Sequence, residues 1–241
     1  MRLLAGTSGF AFKEWKGSFY PEDQSADGML GFYATKFGTV EINNTFYRLP
    51  KEQVLRDWAA QVPDGFTFAI KASQRITHYA RIKAEAKGPL EFLLSNTEVL
   101  GAKLGPVLFQ LPPNFKKDLE RLRVFLALLP NDRRFTMEFR DSSWFDEDVV
   151  AELRAKNVAM CITDQADFAT PPIATAAWGY LRLHRFDYTA PMLADWAQRV
   201  LDQPWQEAYV YFKHDEGVGS GPPAVGAFVR AMELADTASR S

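Results

Sequence analysis

Seven short apolar runs in the chain end on a residue that carries charge or bonds strongly. They are Val40-Glu41-Ile42-Asn43, Phe68-Ala69-Ile70-Lys71, Val107-Leu108-Phe109-Gln110, Met137-Glu138-Phe139-Arg140, Met160-Cys161-Ile162-Thr163-Asp164, Leu181-Arg182-Leu183-His184 and Val210-Tyr211-Phe212-Lys213. Each run reads as a buried strand, because short near-continuous apolar stretches bounded by polar residues suit a sheet covered on both faces. One polar ending is an accident. Seven, set around one sheet, converge on one rim.

Strand-like and helix-like segments alternate along the chain. The strand candidates are 3–9, 39–46, 67–73, 106–112, 135–141, 159–164, 178–184 and 207–215. Amphipathic segments fall between them at 28–37, 51–62, 89–100, 118–129, 146–157, 191–201 and 223–235. Leu119, Leu122, Phe125, Leu126 and Leu129 keep the spacing of one helix face. The 165–177 connection holds Pro171-Pro172 and reads as a loop, so the helix after strand six is expected to be missing or vestigial. Alternation of this kind predicts a parallel α/β sheet. Eight strands in 241 residues predict a closed (β/α)8 TIM-barrel-like domain over 1–235, with a frayed tail at 236–241. An open doubly wound sheet usually has a glycine-rich phosphate loop after strand one. Gly6-Thr7-Ser8-Gly9 matches neither such pattern.

Composition narrows the function classes. A net charge of −2 gives no overall attraction to nucleic acid or to an anionic membrane. The single cysteine, Cys161, excludes an internal disulfide and a thiolate metal cluster. The apolar stretch at Leu3-Leu4-Ala5 is too short for a signal peptide, and no run approaches the ~20 apolar residues of a membrane span. A soluble cytoplasmic protein is expected.

Several motifs together resemble the YecE-like family, also called the domain of unknown function 72 family. They are Thr7-Ser8-Gly9-Phe10, Trp15-Lys16-Gly17 and Phe19-Tyr20-Pro21, then the segment from Val40 through Asn43-Asn44-Thr45-Phe46-Tyr47-Arg48 to Pro50. Ile76-Thr77-His78, Gln110-Leu111-Pro112-Pro113, Glu138-Phe139-Arg140, Ser143-Trp144-Phe145, Arg182-Leu183-His184 and Tyr209-Val210-Tyr211-Phe212 continue the match in order. The resemblance implies a TIM-barrel-like fold and supplies no established reaction. One departure stands out. Where the family has an Asn-Asn-Asp-like turn, this chain has Lys213-His214-Asp215.

Period two sorts strand residues into faces. The mixed face should point inward, with its polar members at the C-terminal rim, where barrels of this type keep their sites. Glu41, Glu138 and His184 are the candidate acid/base residues. Asn43, Lys71, Gln110, Arg140, Asp164, Arg182, Tyr211 and Lys213 are candidate substrate-binding residues. Four of the rim groups are cations and three are carboxylates, which suits a small anionic ligand. Tyr47 and Trp144, with Trp15, Phe19, Tyr20 and Phe46, are candidates for a pocket wall that stacks on a sugar or nucleobase. His78 is either a rim contact or a surface residue.

Three chemistries compete for this rim. Glu41 and Glu138 form an acid/base pair of glycosidase-like separation, in a hydrolase or isomerase. Glu41, Glu138, Asp164 and His184 hold a divalent metal, which the interleaved cations disfavour; no other cofactor is implied. Lys71 acts as a Schiff-base amine, against the blander reading of an ion-paired lysine. A non-catalytic pocket for a metabolite or single-stranded nucleic acid is the alternative to an enzyme.

Overall fold

The computed structural model describes residues 1–214 and 219–240. Nine strands form among the described residues, because the sixth apolar run is interrupted at Cys161. They are β1 (Arg2–Thr7), β2 (Thr39–Ile42), β3 (Thr67–Lys71), β4 (Leu104–Gln110), β5 (Phe135–Glu138), β6 (Ala159–Met160), β7 (Ile162–Asp164), β8 (Trp178–Leu183) and β9 (Glu207–Phe212). Seven α-helices alternate with them among the described residues: α1 (Met29–Ala34), α2 (Glu52–Gln61), α3 (Lys87–Thr97), α4 (Leu119–Ala127), α5 (Glu147–Ala155), α6 (Ala190–Leu201) and α7 (Gly221–Arg240). No helix occupies 165–177, as the proline pair predicts. The expected frayed tail is a correction: residues 236–240 continue α7. Their amphipathic predecessors had set the helical register, and no Gly or Pro intervenes to stop it. Ser241 and Asp215 lie outside the described residues.

Among the described residues every ladder between two strands is parallel. The ladders make two sheets, β1-β9-β8-β7 and β2-β3-β4-β5-β6. This is a parallel α/β fold, and it differs from one continuous closed ladder of eight strands. An isolated parallel bridge, Ser8 to Glu41, links the ends of β1 and β2. Cys161 sits between β6 and β7, its N–H donating to the Met137 carbonyl at 2.8 Å.

Period two decides where the core lies. Val107, Phe109, Leu111, Met137 and Phe139 pack with the helices in one large cluster. Leu181, Leu183, Val210 and Phe212 pack with α6 and α7 in a second. The opposite faces of both sheets share a third cluster: Leu4, Ala69, Leu108, Ala159, Cys161, Trp178, Tyr180, Tyr209 and Tyr211. That shared cluster is the floor of the site. Helix starts are fixed by side-chain caps: Asp118 accepts from the Arg121 N–H and Asp146 from the Asp148 N–H, both at 3.1 Å.

No helix among the described residues is long and apolar enough to cross a membrane.

Candidate functional site

Arg182 is the centre of the polar rim. It leaves β8 on the inner face and is almost fully buried. Its Nε donates to Glu41 Oε2 at 3.0 Å, and its Nη2 to Glu41 Oε1 at 3.0 Å. Its Nη1 donates to Glu138 Oε2 at 2.7 Å. One guanidinium therefore holds both carboxylates, each of them fully buried. A buried charge persists only when paired, and this fork matches two carboxylates at once.

Glu41 is saturated with donors. Besides Arg182, Oε1 accepts from Ser8 Oγ at 2.6 Å and Asn43 Nδ2 at 3.0 Å, while Oε2 accepts from Tyr180 OH at 2.6 Å. Burial alone would raise its carboxyl pKa. The Arg182 guanidinium and the Ser8 and Tyr180 hydroxyls overcome that effect and hold it at about 2. Glu41 is thus a fixed anion. The carboxylate expected to act as an acid/base group is thus held by surrounding donors. The glycosidase-like pair is corrected, since the Arg182 guanidinium fills the space between Glu41 and Glu138.

From Glu138 the network runs outward through neutral groups. Gln110 Nε2 donates to Glu138 Oε1 at 2.8 Å, and Gln110 Oε1 accepts from Lys71 Nζ at 2.9 Å. Lys71 Nζ also lies 4.4 Å above the Phe46 ring. Arg140 turns aside to donate to Gln165 Oε1 at 3.3 Å.

His184 joins the other end. Its Nε2 lies 2.9 Å from Ser8 Oγ. Ser8 has one hydroxyl proton, and the short bond to Glu41 takes it. The network therefore places a hydrogen on His184 Nε2, donated to Ser8, and leaves a lone pair on Nδ1. Withdrawal from solvent pulls the His184 pKa well below its ordinary value, helped by Arg182, Lys213 and Lys71 and opposed by Glu41. The imidazole is neutral at pH 7.

Ser8 reaches this position because β1 approaches β2 closely. A side chain at Gly6 would strike the Thr39 carbonyl oxygen and the Tyr33 hydroxyl. Gly9 follows with a φ of +101°, and its N–H donates to the Glu41 carbonyl at 2.8 Å. Ser8 and Tyr180 were not among the sequence candidates. Ser8 follows a strand end like the others, but a hydroxyl is a weaker signal than a charge. Tyr180 shares the inner face with Arg182 by parity.

A cavity of about 650 Å³ opens over these groups. Asn43, Lys71, Arg182, His184, Lys213 and His214 supply its polar wall. Phe10, Phe12, Phe46, Tyr47 and Trp58 supply its aromatic wall. His214 stacks on Phe12 with centroids 4.4 Å apart and planes 2° off parallel. Its size falls within the usual range for small-molecule sites. A second cleft shares Tyr47 and adds Arg48, Lys51, Arg75 and the exposed Phe92.

Several sequence candidates lie elsewhere. Asp164 is on the outer face, where Oδ2 accepts from Tyr188 OH at 2.9 Å and Trp196 Nε1 at 3.0 Å. Its parity with Ile162, a residue of the helix-facing cluster, explains the direction. Trp144 is fully buried against Phe139 and Phe115, with its indole N–H on the Phe115 carbonyl. Tyr211 is below the cavity, hydrogen-bonded to Thr39 Oγ1 at 2.7 Å. Trp15, Phe19 and Tyr20 pack among themselves and with Phe12 or Phe32 rather than lining the cavity. His78 packs edge-on to Phe46 at 4.9 Å, and its pKa is lowered by burial and by Lys71.

With Asp164 turned away and Glu41 and Glu138 clamped by Arg182, the four donors proposed for a metal do not converge. Among the described residues no group of three or more His, Cys, Asp or Glu is arranged to hold one.

Comparisons with known proteins fit this architecture. The chain resembles YecE of Escherichia coli K12, with 34% identity over 114 residues, which is 47% of this chain and 42% of YecE. The chain thus matches less than half the length of that relative. YunF of Bacillus subtilis is 24% identical, with 83% of this chain and 85% of YunF covered. A crystal structure of a DUF72 family protein from Thermotoga maritima superposes with a TM-score of 0.83 at 26% identity, covering 97% of this chain and 99% of the other. A DUF72 family protein from Enterococcus faecalis shares the fold, with a TM-score of 0.82 at 19% identity and 96% of each chain covered. The family described as "Protein of unknown function DUF72" matches residues 4–240. The chain belongs to the DUF72 family.

Proposed function

We propose that the cavity binds a small anionic metabolite bearing a ring and moves a proton on it, with His184 Nδ1 as the base. The observation that carries this reading is the Glu41–Ser8–His184 chain, which ends in a cation-lined, aromatic-walled cavity. Glu41 remains anionic, Ser8 transmits its orientation, and the imidazole is held in one tautomer. When Nδ1 takes a proton, the imidazolium is stabilised through Ser8 by the Glu41 carboxylate. Lys71 and Lys213 attract the anion. Phe12, Phe46 and Tyr47 face the ring. A bound anion cancels part of the positive potential that depresses His184, so binding itself strengthens the base.

We further take the two sheets as one barrel-like wall, joined at the Ser8–Glu41 bridge and at Cys161. That closure sets the polar strand ends on a single rim. A single free, buried thiol suits a reducing compartment, and we assign the protein to the cytoplasm.

The test is a turnover screen on mixed phosphorylated and carboxylated metabolites. The wild type should consume a component. His184→Gln should abolish that turnover, and Ser8→Ala should slow it by ~10-fold to 100-fold. Turnover that survives His184→Gln at the wild-type rate would remove the proposed base.

The second cleft favours one other reading. Its Arg48, Lys51 and Arg75 continue from Tyr47, so a single-stranded nucleic acid could lie across both openings. Salt-sensitive binding of an RNA oligonucleotide, weakened by joint neutralisation of these three cations, is the expected result for that reading. Binding indifferent to salt would exclude it.

A further inference from the structure

Lys71 ends β3 at the cavity wall and has no carboxylate of its own. Glu41 and Glu138 are both taken by Arg182. Among the described residues Lys71 makes no ion pair, and Nζ has a neutral partner, the Gln110 amide oxygen at 2.9 Å. The Phe46 ring covers it at 4.4 Å. The expected ion-paired lysine is thereby corrected. The side chain stays partly open and lines the cavity beside His184.

We propose that Lys71 is a nucleophilic amine that forms a reversible imine with an anionic aldehyde or ketone bound in the cavity. The proposal rests on reading the cavity as an anion site, and it specifies the substrate as a carbonyl compound. The neutral Nζ lone pair attacks the carbonyl carbon, and the C=O π pair moves to oxygen. A proton passes from nitrogen to that oxygen and gives the carbinolamine. A second proton, from a general acid, converts the hydroxyl to water. Water leaves as the nitrogen lone pair closes the C=N bond, giving a protonated imine. The net change consumes amine, carbonyl and one proton and releases one water. His184, on the same wall, is the group suited to carry the proton between nitrogen and oxygen.

Surroundings agree with this role. Burial lowers the Lys71 pKa first, and Arg182 and Arg140 lower it further, against Glu138 and Glu41, bringing it to about 8 from 10.5. At pH 7.5 its free-amine fraction is ~200-fold that of an ordinary lysine. A less basic amine is intrinsically less nucleophilic, so the rate advantage is smaller than that ratio.

The experiment is reductive trapping of the whole protein. Pyridoxal 5′-phosphate or glyoxylate is added at pH 7.5, borohydride reduces any imine, and peptide mapping locates the adducts. Lys71 should be modified at least ~10-fold faster than exposed lysines such as Lys36 or Lys87, following its larger free-amine fraction. Lys71→Arg should lose that adduct and no other. Modification of Lys71 no faster than Lys36 and Lys87, with both probes, overturns the proposal. Pyridoxal, which lacks the phosphate, separates the two readings. Equal trapping by pyridoxal and its phosphate supports the imine and removes the anion site. Binding of inorganic pyrophosphate with no preferential Lys71 adduct supports the anion site and removes the imine.

Discussion

Replacing Arg182 with methionine removes the one cation that the two buried carboxylates share. Arg182→Met keeps an unbranched side chain of similar reach, so the main loss is charge and hydrogen bonding. Glu41 loses all its guanidinium bonds, and Glu138 loses its 2.7 Å partner. Glu41 retains Ser8, Asn43 and Tyr180, but these donors carry no charge. Breaking a buried ion pair from one side costs about 3–5 kcal/mol. In a chain of this size that is a fall in melting temperature on the order of 10 °C. The sign of the pH dependence is diagnostic. Without Arg182 at least one carboxylate has a folded pKa above its unfolded value. The variant then gains stability relative to wild type as pH falls from 7 towards 5. Urea unfolding at both pH values measures this directly. Arg182→Lys should fall between the two proteins, because one ammonium cannot fork to both acids. A deficit below ~1 kcal/mol, or one identical at pH 7 and pH 5, would refute the clamp.

Three further outcomes follow from the same geometry. Glu41 has a folded pKa of about 2 against an ordinary 4.5, so its share of stability is complete above pH 4.5 and fades as pH falls towards 2. That share is about 3 kcal/mol, and acid titration of Glu41→Gln should lack the corresponding limb. Asp164→Ala should cost about 2 kcal/mol by stranding Tyr188 OH and Trp196 Nε1, while calorimetric affinity for pyrophosphate stays at the wild-type value. A weakened affinity would return Asp164 to the site. Gly6→Ala should destabilise by about 3 kcal/mol, since the new methyl meets the β2 backbone at Thr39 rather than a side chain that can swing away. Unchanged denaturant unfolding would contradict that close approach.

Much of this arrangement was legible in the amino-acid order. Period two grouped Gln110, Glu138, Arg140, Arg182, His184, Tyr211 and Lys213 on the mixed strand faces, and the alternation of runs marked the seven helices among the described residues. Asp164 was misplaced because a polar strand ending was given more weight than its parity with Ile162. Trp144 was misplaced because position just past a strand does not fix whether a ring turns to solvent or into the helix layer. Here Phe115 and Phe139 offered it two ring contacts and a carbonyl partner. The pairing of Arg182 with two acids could not be read at all. Charges on β2, β5 and β8 are far apart in sequence, and which of several cations wins depends on fork geometry across the rim. The same competition decided Lys71: it was left with an amide because Arg182 satisfied both acids.

The most direct measurement is the imidazole nitrogen spectrum of His184 during a pyrophosphate titration. The chain has only three histidines, so the signal can be assigned by substituting each in turn. The expected result is a neutral ring at pH 7, protonated at Nε2, whose pKa rises as pyrophosphate saturates the cavity. A ring already charged at pH 7, or one whose pKa does not move while pyrophosphate binds, would contradict the proposed anion site and its base.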